Sequence, residues 1–175
     1  VVGNWVVDRS TGIRKFRYND DFPDDYGSLG TGRYVGDAVH NLGEIWCATL
    51  MTLTRRIGAW ETAQVVVDAL KLTPANPSFL AARDAILLAA DRYAEARGDG
   101  AIERADFVQT VWEVFAEYGM GPGARTGGAE TLTGIVPDFT PPAGPGPEPE
   151  PDSGEVVEGS DHPSNTLPDN DRTGV

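Results

Sequence analysis

Apolar residues recur at intervals of three and four through the middle of the chain, and this rhythm predicts four helices. Val39, Leu42, Trp46, Leu50, Leu53 and Ile57 mark one face of a helix from about Val39 to Ile57, which stops near Gly58. A second helix, from about Trp60 to Leu72, presents Ala63, Val66, Val67 and Leu70 on one side and ends before Pro74. The third runs from about Pro77 to Ala96, with Phe79, Ala82, Ile86, Ala90 and Tyr93 inward and Arg83, Asp84, Asp91 and Arg92 on its exposed side. Asn76 is expected to cap it, with Pro77 at the first helical position, where a missing N–H costs nothing. A fourth, from about Glu103 to Tyr118, offers Val108, Val111, Trp112 and Phe115, and Gly119 suits a left-handed stop. Four such helices joined by short breaks predict a mainly α, compact four-helix subdomain.

The flanks have other patterns. Residues 1–18 read as a short extended segment: Trp5-Val6-Val7, a turn, then Ile13 to Tyr18 alternating apolar and basic residues with period two. An acidic, glycine-rich loop spans Asn19 to Gly36. From Pro137 onward the chain holds nine of its 13 prolines, with nine acids against one base. Such a stretch has too little apolar surface to offset its ordering entropy, so residues 137–175 read as a disordered acidic Pro-rich linker or tail and 1–136 as the folded part.

Charge narrows the partners. Of the net −13, the tail carries −8, leaving the folded part only mildly acidic. No basic stripe is present to neutralise phosphates, so no nucleic-acid partner is expected. The apolar runs are too short for a membrane span. The chain opens on Val1-Val2-Gly3-Asn4-Trp5, without an initiator methionine or a signal core, and reads as a processed chain or an excised piece. Its single cysteine, Cys47, rules out an intrachain disulfide and reads as a buried, inert thiol.

His40 is the one histidine outside the tail, at the mouth of the first helix. An imidazole there is held by a rigid element, can still face a cleft, and can donate or accept a proton. The plain alternative is a surface or capping histidine. Glu44 lies on the same helix face at i+4 and Asp37 just upstream. His40 and Glu44 alone are two ligands and make no zinc site, so a hydrogen-bonded pair is the expectation. Asp20, Asp21, Asp24 and Asp25 offer oxygen ligands to calcium, with a solvated loop as the plain alternative. Residues 95–106 imitate an EF-hand loop, but the register places Arg97 at a ligand position, so a helix-connecting turn is the better account.

Four blocks together resemble the C-terminal part of the catalytic domain of fungalysin-type, thermolysin-like zinc metallopeptidases, over roughly residues 12–124. They are Gly12-Ile13-Arg14 with Tyr18; Val39-His40-Asn41-Leu42-Gly43-Glu44-Ile45-Trp46; Leu70 to Phe79 running on through Ala82-Arg83-Asp84-Ala85-Ile86; and Trp112 with Phe115-Ala116, Gly119-Met120-Gly121 and Gly123-Ala124. The resemblance implies a helical wall of an active-site cleft in a secreted, extracellular endopeptidase acting on protein or peptide substrates. It implies that the zinc is bound by an H-E-x-x-H helix and a later glutamate in an upstream half absent from this chain, which alone is expected to be inactive. By the same resemblance His40 donates a hydrogen bond to the oxyanion formed at the peptide carbonyl, and either Asp37 or Glu44 orients its ring. The rival expectation is a non-catalytic helical binding module, with or without calcium as a stabiliser.

Overall fold

The computed structural model describes residues 13–31 and 38–144. Four helices follow a short 3-10 helix at Tyr26–Thr31: α1 (Ala38–Ile57), α2 (Ala59–Leu72), α3 (Phe79–Arg97) and α4 (Ala101–Glu117). The architecture is the expected mainly α four-helix subdomain. No strand occurs among the described residues, only two isolated bridges. Of the extended N-terminal segment, Trp5-Val6-Val7 lies outside the described residues, and Ile13 to Tyr18 runs irregularly.

Gly58 separates α1 from α2 at φ 98°, a left-handed value that costs glycine little. At the end of α4, Gly119 adopts φ 75°, and Met120 N–H reaches back to the Phe115 carbonyl at 2.8 Å, the Schellman closure expected of that glycine. The start of α3 corrects the expected cap. Ser78, not Asn76, is the N-cap, its hydroxyl accepting from Ala81 N–H at 3.1 Å. A residue before proline is driven from the helical region, and Asn76 takes φ 51°, which asparagine tolerates. Pro77 therefore precedes the helix instead of opening it.

Helix α3 lies between α2 and α4, and α1 packs against both of those. Small residues make the close approach possible: Ala85, Ala89, Ala90 and Ala94 are all buried on α3. Ile45, Leu53, Val65, Ile86, Val111, Val114 and Phe115 fill the space between helices. Two expected faces are corrected. On α2 the buried positions are Thr62, Val65 and Ala69, while Val67 and Leu70 are exposed, because apolar residues ring that helix and periodicity cannot choose among its sides. On α3, Arg83 is buried, its guanidinium donating to the Met120 and Gly121 carbonyls at 3.0 and 2.7 Å.

Packing continues past the boundary expected before Pro137. Gly121 N–H donates to the Asp138 carbonyl at 2.7 Å, Asp138 N–H to the Gly119 carbonyl at 2.9 Å, and Gln109 Nε2 to the Pro142 carbonyl at 3.0 Å. Residues 137–144 thus strap the end of α4, and residues 145–175 lie outside the described residues. The Asp138 carboxylate fastens this strap, accepting from Thr140 N–H and Gly123 N–H at 3.0 and 2.6 Å. Those bonds favour the charged form and hold its pKa below the ordinary 3.8. A depressed folded pKa stabilises the fold fully above the unfolded value, and the contribution is lost as pH falls through the folded one. The parent is therefore expected to exceed Asp138→Asn in thermal midpoint at neutral pH, with the gap closing below 3.8. A gap that stays constant through acid titration would contradict the clasp.

Candidate functional site

His40 is the third residue of α1 and half-buried, and its neighbour Val39 is 73% exposed. One turn on, the surface opens into a groove of about 260 Å³ bounded by Leu42, Gly43, Trp46, Phe79 and Ala82. Leu42 and Phe79 also border a cavity of about 370 Å³, lined on its far side by Thr126, Gly128 to Leu132 and Ile135. The helix entrance thus combines a half-buried histidine with an apolar groove and a second, more polar hollow that includes Ser78, Thr126, Glu130 and Thr131. Trp46 stiffens this end of α1, its ring edge-on to Phe79 at 5.4 Å and tilted against Phe115 at 5.9 Å.

Glu44 is buried at 1% exposure, deeper than a helix-surface pairing with His40 requires. Its Oε1 accepts the backbone N–H groups of Lys15 and Phe16 at 2.5 and 3.0 Å, and its Oε2 has no hydrogen-bond partner. The segment it holds lies across the first turns of α1. Arg14 Nη1 donates to the His40 carbonyl at 3.3 Å, and Lys15 Nζ to Asn41 Oδ1 at 3.3 Å. Arg14 is the residue that residue-by-residue reasoning passed over. Its signal was there, since it stands in the first recognised block, but a lone arginine in an alternating run gives no hint of a contact 26 positions away. Asp37 lies outside the described residues.

The acidic loop disperses its carboxylates. Asp20 pairs with Arg55 at 2.9 Å, Asp21 accepts from Asn19 Nδ2 at 3.3 Å, and Asp25 accepts from Ser28 N–H at 3.0 Å. Asp24 is buried. At the other end of the bundle, Gly98 takes φ 89° as the C-cap of α3 and Arg97 pairs with Asp99, so residues 98–100 form the expected helix-connecting turn between α3 and α4. Among the described residues, no group of three or more His, Cys, Asp or Glu side chains is placed to hold a metal ion. Nor is any helix among them long and apolar enough to cross a membrane.

Comparison with known proteins adds the following. The model of the fungalysin metallopeptidase (M36) family matches residues 1–124. An extracellular metalloproteinase of Neosartorya fischeri is 27% identical over 164 residues, covering 77% of this chain and 24% of that protein. One from Leptosphaeria maculans is 30% identical over 149 residues, covering 71% and 21% respectively. Extracellular metalloproteinase 3 of Trichophyton rubrum is 28% identical over 148 residues, again 71% and 21%. The chain thus spans about a quarter or less of the length of these relatives. No solved structure matches.

Proposed function

Because the chain belongs to the fungalysin metallopeptidase family, we propose that it forms the C-terminal helical part of the catalytic domain of a secreted zinc endopeptidase, with His40 a catalytic residue of peptide-bond hydrolysis. The family match, which runs through His40 and all four helices, is the observation that carries this reading. Among the described residues no three His, Cys, Asp or Glu side chains are grouped to hold a metal ion, and in this proposal the zinc is held by a separate part of the catalytic domain, as the family resemblance implies. What this chain contributes is a wall and a donor.

In that role a peptide substrate lies between the bundle and the upstream half. The imidazole N–H of His40 donates to the carbonyl oxygen as it gains negative charge, a bond stronger in the transition state than in the ground state. Val39 and the hollows beside Leu42 and Phe79 receive apolar side chains of the substrate. Asp37 is assigned the task of orienting the ring, since the Oε1 of Glu44 is engaged by Lys15 and Phe16 and its Oε2 bonds no donor, the imidazole included.

The test is His40→Ala in the complete protein, assayed on a peptide substrate. Removing one oxyanion donor costs about 3 kcal/mol in the transition state, so kcat is expected to fall about a hundredfold with KM little changed. A variant that turns over at the parent rate would sink the assignment.

A further inference from the structure

Glu44 is a buried carboxylate with one oxygen accepting hydrogen bonds from two backbone N–H groups and the other without a hydrogen-bond partner. Burying such a group costs free energy that two amide bonds on a single oxygen offset only in part. What it gains is placement. The two N–H groups belong to successive residues, Lys15 and Phe16, so the carboxylate fixes that stretch of backbone against α1. The residue just before them, Arg14, then lands on the first turn of the helix and donates to the His40 carbonyl. It crosses directly over Gly43, where a methyl group would meet Nη1 at 2.8 Å and Nη2 at 2.9 Å.

We infer that Glu44 is a positioning residue for His40, acting through the Lys15–Phe16 backbone and Arg14 to hold the helix turn that carries the imidazole. The inference rests on the catalytic role proposed for His40. Two consequences separate it from a general contribution to stability. Since Oε2 meets no donor, the role needs an acceptor oxygen and not a negative charge. Since Arg14 reaches His40 over Gly43, a side chain at that glycine disturbs the same clamp by another route, displacing the end of a flexible side chain and leaving the fold intact.

The experiment uses the complete protein and a peptide substrate. Glu44→Ala is expected to lower kcat about tenfold with KM unchanged, the usual scale for a supporting residue. Glu44→Gln recovers most of that loss, because its amide oxygen accepts both N–H groups. Gly43→Ala reproduces the fall in kcat with a thermal midpoint at or above the parent's, since alanine is favoured over glycine inside a helix, and the Gly43→Ala/Glu44→Ala double variant is no slower than the slower single one. Parent kcat in Gly43→Ala, or a Gln variant as slow as the Ala variant, overturns the inference. Should Glu44→Ala fail to fold, Gly43→Ala alone decides. A hundredfold loss in His40→Ala beside parent kcat in Gly43→Ala removes only the positioning role, whereas parent kcat in His40→Ala removes the proposed function itself.

Discussion

Arg83→Met is expected to destabilise the fold by about 4 kcal/mol. Arg83 is 6% exposed, and its Nη1 donates to two consecutive carbonyls, those of Met120 and Gly121. Its guanidinium also lies 5.0 Å from the centre of the Trp112 ring. Methionine keeps the stem but strands both carbonyls in a buried turn, and hydrogen bonds to a charged donor contribute about 1.5–3 kcal/mol each. The ion pair with Asp84 adds little, since that carboxylate is 60% exposed. Arg83→Lys is expected to recover part of the loss, because an ammonium cannot reproduce the planar fork. Denaturant unfolding reads the free energy, and hydrogen exchange at Gly121 and Asp138 reports whether the strap loosens first. An unfolding free energy within about 1 kcal/mol of the parent would show that the turn holds without its cation.

The second large effect belongs to Phe115→Ala, expected to cost about 4 kcal/mol. Phe115 has no exposure and stands where α4 meets the tilted ring of Trp46 on α1. Truncation removes buried apolar surface and leaves a cavity among stiff helices that close in only partly. The cavity would lie beneath the helix bearing His40, so the near-ultraviolet signal of Trp46 is expected to weaken along with the unfolding midpoint. A parent-like midpoint would mean that Trp46 and Phe79, in contact at 5.4 Å, repack into the space.

The two variants probe features of unequal legibility. Phe115 was already on the inner face of the fourth helix by spacing alone. Arg83 was not, because a charged residue between apolar neighbours reads as solvent-facing until a partner is known. Its acceptors lie 37 and 38 positions further on. Glu44 behaves alike: its place on the His40 face followed from i and i+4 spacing, but its backbone partners lie 29 and 28 positions upstream.

By itself the sequence determined the four helices, the stops at Gly58 and Gly119 and the position of His40 at a helix entrance. These depend on interactions within a turn or two, where apolar spacing, a left-handed glycine or a missing N–H acts on its immediate neighbours. Tertiary structure alone decided which side of α2 is buried, why Arg83 is inside, what Glu44 holds, and that residues 137–144 strap α4. Each of these turns on whether a buried polar group or an ambiguous apolar face finds its complement from a distant part of the chain, a condition no local pattern encodes.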